Sequence, residues 1–123
     1  MQNQELKSEN DLKYRAYRYS IDMIRFLDSL PKDTSTDIIA KQLLRSSTSI
    51  GANIVEAKGS SSKKDFTNFF AHSLKSANES LYRLGLLRDA KEIKNQRLEY
   101  LLKETKELAN ILGSSILTLK GRK

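Results

Sequence analysis

Residues 63–90 read KKDFTNFFAHSLKSANESLYRLGLLRDA, and their apolar residues recur every three or four positions. At 100° per residue this spacing gathers them within an arc of roughly 140°, the pattern of a helix with one face in a core. The residues of this face are Phe66, Phe69, Phe70, Leu74, Ala77, Leu81, Leu84 and Leu87. Residues 96–119 carry a similar leucine-rich face. Both segments predict long amphipathic helices, and we favour core packing over a cofactor-binding role for their apolar residues.

Breaks in the helical periodicity divide the chain into four segments. Residues that favour turns occur in PKDTST at 31–36 and in GSSS at 59–62, and the polar stretch KEIKNQ at 91–96 forms the weakest boundary. The expected helices span residues 10–30, 36–58, 63–90 and 96–119, with frayed termini. Short connections favour antiparallel neighbours, so we predict one all-α domain over residues 1–123, an up-down-up-down four-helix bundle.

The helix starts carry residues that can accept a hydrogen bond from free backbone N–H groups. A hydroxyl among Thr34, Ser35 and Thr36 is expected to cap the second helix. Ser62 is expected to cap the third helix. Asp65, three residues later, takes the position of the glutamate in a capping box.

Composition restricts the chemistry that the chain can carry. The 123 residues include no cysteine and one histidine, which argues against disulfide scaffolds, zinc or iron–sulfur sites and Ser-His-Asp or Cys-His catalysis. No run approaches the roughly 20 apolar residues of a membrane span, and the N-terminus lacks the features of a signal peptide. We therefore expect a cytoplasmic protein without catalytic residues, metal or cofactor.

The charge balance favours a polyanionic partner. Lysine and arginine number 22 against 15 acidic residues, which gives a formal net charge of +7. In an up-down bundle, one end gathers the termini and the turn between the second and third helices. The basic residues expected there are Lys58, Lys63, Lys64, Lys120, Arg122 and Lys123. Two interpretations stay open: this end contacts nucleic-acid phosphates without sequence specificity, or it is a solvated surface that maintains solubility.

The first helix carries more apolar surface than one bundle seam covers. Its polar residues form one narrow row, so apolar residues occupy roughly 200° of its circumference. The second helix also has a weaker, additional apolar row. Such surface on a small protein favours contact with another copy of the chain, and scattered apolar residues on a monomer are the alternative. We predict a homo-oligomer whose interface includes Leu44, Val55, Tyr19, Met23 and Phe26.

A continuous polar stripe follows one side of the second helix. It consists of Gln42, Arg45, Ser49, Asn53 and Glu56, at steps of three or four residues. Arg45 and Ser49 are spaced to pair with each other, as are Asn53 and Glu56. We favour a structural network that fixes the register of the helix, and a groove for a ligand or RNA is the alternative.

The stripe lies within residues 42–56, QLLRSSTSIGANIVE, which resemble the second-helix signature of the four-helix-bundle proteins encoded in bacterial 23S rRNA intervening sequences. That signature runs Q-L-R-R-A-x-x-S-I-x-x-N-I-x-E-G. Ser76 and Glu79 match its S-x-x-E step on the third helix. The sequence departs from the pattern at Leu44, which replaces the first of the paired arginines, and at Ala57, which replaces the glycine after the glutamate.

This resemblance covers residues 11–117 and implies an antiparallel bundle that assembles into a homopentameric ring without known catalytic activity. The accessory variability proteins of diversity-generating retroelements, basic pentamers that act with a reverse transcriptase and its RNA, are similar in fold and size. Both relatives imply an RNA-associated accessory protein whose partner is RNA or a nucleic-acid enzyme, by analogy of fold. The alternative function is a protein-binding or assembly scaffold without a nucleic-acid role.

Overall fold

The computed structural model describes residues 9–121, with side chains from residue 12 to residue 121. Four helices make up most of this range: α1 (Glu9–Asp28), α2 (Thr34–Lys58), α3 (Lys63–Ala90) and α4 (Gln96–Leu119). No strand occurs among the described residues. The prediction of an all-α fold with four helices is confirmed.

An aspartate cap sets the start of α2. The carboxylate of Asp33 accepts a hydrogen bond from the backbone N–H of Thr36 at 2.9 Å, and this bond is the main reason that the pKa of Asp33 is lowered to about 2. The prediction that Thr34, Ser35 or Thr36 caps this helix is therefore wrong. A charged acceptor bonds the free N–H groups of a helix start more strongly than a hydroxyl does, so α2 begins two residues earlier than predicted.

The other two caps are short polar side chains. The hydroxyl of Ser62 accepts a hydrogen bond from the N–H of Asp65 at 3.0 Å, which confirms the predicted start of α3. The side-chain oxygen of Asn95 accepts from the N–H of Leu98 at 2.7 Å at the start of α4.

Each helix packs against the next one in the chain, and α1 also packs against α4; within residues 9–121, the diagonal pairs α1–α3 and α2–α4 have no Cα atoms within 8 Å of each other and meet only through side chains in the core. Hydrogen bonds show how the helices are paired. Between α2 and α3 they include Ile50 with Ser73 and Gln42 with Arg83. Between α1 and α4 they include Arg15 with Glu107 and Arg25 with Arg97. In both helix pairs, residue numbers rise along one helix while they fall along the other. This reversed pairing is typical of antiparallel packing.

The core lies between the four helices and contains the apolar faces predicted for α3 and α4. The fully buried leucines of these two helices are Leu84, Leu87, Leu98, Leu101, Leu108 and Leu112. Phe66 stacks on Phe70, with ring centroids 4.6 Å apart, and closes the core near the start of α3.

The buried face of α1 differs from the prediction. Tyr19, Met23 and Phe26 are 0% exposed, because the other three helices cover them. The prediction that these three residues form an interface with another copy is therefore wrong. On the neighbouring side of α1, a Cβ atom added to Gly51 of α2 would lie 3.4 Å from the Cβ of Ala16. Gly51 thus lies against Ala16 where α1 and α2 meet.

Four buried hydroxyl side chains, one from each helix, form a polar layer inside the core, which we call the hydroxyl layer. Its members are Tyr19, Ser46, Ser80 and Thr105, each at most 4% exposed. Tyr19 Oη lies 2.6 Å from Thr105 Oγ1, and Ser46 Oγ lies 2.9 Å from Ser80 Oγ. Burial raises the pKa of the Tyr19 phenol, while side-chain hydrogen bonds with Thr105 and Ser80 act in the opposite direction. The layer therefore joins α1 to α4 and α2 to α3.

We expect Tyr19→Phe and Thr105→Val each to lower the free energy of unfolding by about 1–3 kcal/mol, because each leaves a buried hydroxyl with one partner fewer. The double variant removes both hydroxyls, so its loss should be smaller than the sum of the single losses by roughly 1 kcal/mol. Urea unfolding followed by circular dichroism measures all four proteins. Additivity within about 0.5 kcal/mol would show that the two residues are not coupled.

Candidate functional site

The polar stripe of α2 lies on the side of the helix next to α3. At one end, the backbone carbonyl of Gln42 accepts a hydrogen bond from Arg83 of α3 at 3.4 Å. Ser49 donates its hydroxyl to the carbonyl of Arg45 at 2.7 Å, and the side-chain amide of Asn53 donates to the carbonyl of Ser49 at 2.8 Å. These bonds run back to the main chain of α2, whereas the spacing predicts bonds between side chains.

The charged members of the stripe remain exposed. Arg45 and Glu56 are open to solvent on α2, and so is Glu79 on α3, directly before Ser80 of the hydroxyl layer. Ser76, the other residue of the predicted S-x-x-E step, is buried and accepts the Ser80 hydroxyl through its carbonyl at 2.9 Å. The stripe thus combines residues bonded within the bundle with two charged side chains at its surface, Arg45 and Glu56.

Four of the six basic residues predicted to share one end of the bundle lie at helix ends that the structure places near one another. Lys63 and Leu119 line the same surface depression, so the turn between α2 and α3 lies beside the end of α4. The described members of this surface, the basic end, are Lys58, Lys63, Lys64 and Lys120. Burial lowers the pKa of Lys58, and the other three are exposed. Arg122 and Lys123 lie outside the described residues.

Exposed apolar side chains follow the outside of the α1–α2 pair. Tyr17 and Ile24 of α1 are 64% and 42% exposed, and Leu44 and Val55 of α2 are 40% and 47% exposed. We call these four residues the apolar band. Helical geometry places them on the flanks of α1 and α2 that adjoin the close contact at Gly51. Leu44 and Val55 are therefore accessible to a partner, and their role in an interface stays a prediction.

An arginine clamp joins α1 to α4. Arg15 donates from Nε to Glu104 Oε2 at 2.6 Å, and from Nη2 to Glu104 Oε1 at 2.8 Å and Glu107 Oε1 at 2.6 Å. The hydrogen bond with Glu104 is the largest cause of the raised pKa of Arg15, ahead of the opposing effect of burial. Because the guanidinium binds both carboxylates, this acidic pair is engaged in helix packing.

Four other cations are exposed on α1 and α4 near this seam, Lys103 on the outer face of α4. No carboxylate among the described residues lies within 4.0 Å of Arg18, Arg25, Arg97 or Lys103. Tyr100 is 46% exposed beside them, and its hydroxyl donates to Asp22 at 3.3 Å. Sequence reasoning missed this cluster because its members are far apart in the chain. The seven-residue spacing of Arg18 and Arg25 on one helix face was the available signal.

Other kinds of site have less support in the part of the chain that the structure describes. No group of three or more histidine, aspartate or glutamate side chains there is placed to hold a metal ion, and His72 is exposed on α3. None of the helices is both long and apolar enough to cross a membrane, as judged over the same residues.

Comparison with known proteins identifies a family and a solved structure of similar fold. The model of the 23S rRNA-intervening sequence protein family matches residues 8–114. The chain is also similar to the crystal structure of a protein with unknown function from the S23 ribosomal protein family of Bacteroides thetaiotaomicron. The two sequences are 33% identical, the similarity covers 88% of this chain and 96% of that chain, and the TM-score is 0.80. No curated protein matches the chain.

We expect Arg15→Met to lower the free energy of unfolding by roughly 1–3 kcal/mol, because it removes charge-assisted hydrogen bonds and leaves two neighbouring carboxylates without their counterion. Arg25→Met is the matched control on the same helix, and its effect should stay within about 0.5 kcal/mol. Urea unfolding at low and high salt measures both, and the gap between the variants should narrow as salt screens the clamp. Equal losses in the two variants would contradict a structural role of the clamp.

Proposed function

The chain belongs to the 23S rRNA-intervening sequence protein family, and on this basis we propose that it is an RNA-associated accessory protein that acts as a homo-oligomer and without catalysis. The name of the family links its members to ribosomal RNA. The net charge of +7 provides the electrostatic attraction that a polyanion needs.

The basic end is the observation that carries this proposal. Lys58 ends α2, Lys63 and Lys64 begin α3, and Lys120 follows α4, so lysines from three separate helix ends share one surface. Lysines bind phosphates as point charges, and such contacts release the counterions that surround a nucleic acid. This surface supports binding to the sugar–phosphate backbone, with little dependence on base sequence.

The absence of catalysis is part of the proposal. The acidic pair Glu104 and Glu107 binds Arg15, so both carboxylates are occupied in charge-assisted hydrogen bonds. Ser49 donates to its own helix. These side chains contribute to packing, which supports a binding protein more than an enzyme.

We further propose an up-down-up-down bundle and a pentameric ring. The reversed pairing of α2 with α3 and of α1 with α4 supports the antiparallel order. The apolar band supports contact with another copy, because burying it removes apolar surface from water. The number of five copies comes from the family resemblance. A ring would repeat the basic end five times and so multiply its attraction for RNA.

A second candidate function is a protein-binding scaffold that has no nucleic-acid role. The apolar band favours it, since four exposed apolar side chains on one helix pair suit a protein partner as well as another copy. In that case the basic end would serve only solubility.

We expect the full chain to bind structured and unstructured RNA at low salt, with an affinity that falls steeply as salt rises. Lys63→Glu with Lys64→Glu should weaken binding by about tenfold or more, because it reverses two charges at the basic end. The matched control is Lys32→Glu with Lys94→Glu, which makes the same charge change in exposed turns at the other end of the bundle. Fluorescence anisotropy with labelled RNA measures affinity, and light scattering should give an unchanged mass. An unmodified protein that binds no RNA at low salt would exclude this function.

We expect Leu44→Glu with Val55→Glu to lower the mass of the assembly in light scattering, because the exposed charges would have to be buried at the interface. Ile38→Glu is the control, since Ile38 is equally exposed on α2 but lies outside the apolar band. Circular dichroism checks that the helices are retained. An unaltered mass in the double variant would assign the contact between subunits to another surface.

A further inference from the structure

The α1–α4 seam presents a cationic surface that is separate from the basic end. We define the seam face as Arg18 and Arg25 of α1 with Arg97, Tyr100 and Lys103 of α4. All five residues are exposed. Their cations have no carboxylate within 4.0 Å among the described residues, unlike Arg15, which the clamp neutralises. The charges of the seam face therefore play no part in the ion pairs that hold the described bundle together.

The contacts across the seam place these cations in two groups. Arg97 donates from Nη1 to the carbonyl of Arg25 at 3.4 Å, so these two arginines lie together. Arg18 is two helical turns earlier, about 10 Å along α1, and within about 20° of Arg25 around the helix. Lys103 is six residues beyond Arg97, about 9 Å along α4 and near the level of Arg18, and it lies about 120° from Arg97 around the helix, on the outer face of α4. The cations thus occupy two levels along the bundle.

Two contacts with tyrosine hold the seam face in shape. The guanidinium carbon of Arg18 lies 6.0 Å from the ring centre of Tyr14, and its Nη1 donates to the Tyr14 hydroxyl at 3.3 Å. The hydroxyl of Tyr100 is bound to Asp22, while 46% of Tyr100 remains exposed between the two groups of cations. An aromatic ring anchored at its hydroxyl offers a face on which a base can stack.

We propose that the seam face binds the backbone of single-stranded RNA, with the four cations on phosphates and Tyr100 stacked on a base. This inference rests on the proposed function and adds a second contact surface to it. Three of the four cations are arginines, whose planar guanidinium groups match phosphate oxygens in pairs. The exposed ring distinguishes RNA from an acidic peptide, which would use the charges and leave Tyr100 without a role. It also favours a single strand, because the bases of a duplex are stacked on each other.

The test compares variants of the full chain in binding a fluorescein-labelled 20-nucleotide poly-U RNA. Arg18→Gln with Arg25→Gln should weaken binding by about tenfold at low salt, and it should reduce the slope of log affinity against log salt by about 1.4, the value for two lost phosphate contacts. Lys41→Gln with Lys75→Gln is the matched control, because it removes the same charge from exposed positions on α2 and α3. The control should change affinity by less than about twofold.

Tyr100 is tested with a pair of variants. Tyr100→Leu should weaken binding of poly-U by about fivefold or more, whereas Tyr100→Phe keeps the ring and should bind like the unmodified protein. Neither variant should change binding of a duplex of the same length. Equal affinities of the leucine and phenylalanine variants would overturn the stacking contact and the assignment to single strands.

Other outcomes separate this inference from the proposed function. If the arginine variant and its lysine control lose affinity equally, the seam face is excluded. If only Lys63→Glu with Lys64→Glu loses affinity, RNA binding holds and belongs to the basic end alone. If poly-glutamate of equal charge competes as well as poly-U, the surface recognises acidic chains and the RNA assignment is wrong. The proposed function itself is excluded if the protein binds no RNA at about 50 mM salt, where the Debye length is still more than about 10 Å and phosphate contacts are only partly screened.

Discussion

The hydroxyl layer is the contact on which the rest of the structure depends. Leucines can pack against leucines at several levels along a helix, so an apolar core alone tolerates small shifts between helices. A buried hydroxyl does not tolerate such shifts, because the loss of its hydrogen-bond partner lowers the free energy of unfolding by about 1–3 kcal/mol. Sliding one helix by a turn would separate Tyr19 from Thr105 or Ser46 from Ser80. The layer thereby fixes the level of α1 against α4 and of α2 against α3, and these levels decide which surface residues of each pair come together.

With the levels fixed, α1 is attached on its two flanks by different kinds of contact. Toward α2 the contact is apolar and places Gly51 against Ala16. Toward α4 the contacts are polar and use long side chains, led by the bonds of Arg15 with Glu104 and Glu107. The apolar band adjoins the first contact and the seam face adjoins the second.

The sequence alone identifies the buried face of α3 but not that of α1, and the reason is physical. α3 has one apolar face, so periodicity alone identifies Leu84 and Leu87 as core residues. α1 is apolar over most of its circumference, and the choice of buried face depends on residues of other helices, such as Thr105 and Gly51. Those residues are distant in sequence, which is why the periodicity of α1 wrongly predicts Tyr19 at an interface with another copy. Periodicity within one helix cannot supply it.

Some features of the candidate site could likewise be predicted from the sequence, and others could not. The basic end could be predicted because it follows from the order of the helices and from lysines at their ends. The bonds of Ser49 and Asn53 could not, since a short polar side chain reaches the carbonyl of the preceding turn as readily as a neighbouring side chain. The clamp between Arg15 and Glu104 joins residues 89 positions apart, beyond the reach of any spacing rule.

Assembly and RNA binding need not compete for α1. Tyr17 precedes Arg18 and Ile24 precedes Arg25, so each apolar residue of the band is followed directly by a cation of the seam face. Consecutive residues point about 100° apart around a helix, which turns the apolar pair toward the α2 side and the basic pair toward the α4 side. A second copy bound to the apolar band would therefore leave Arg18 and Arg25 uncovered. One helix can in this way hold a neighbouring subunit on one flank and a phosphate backbone on the other.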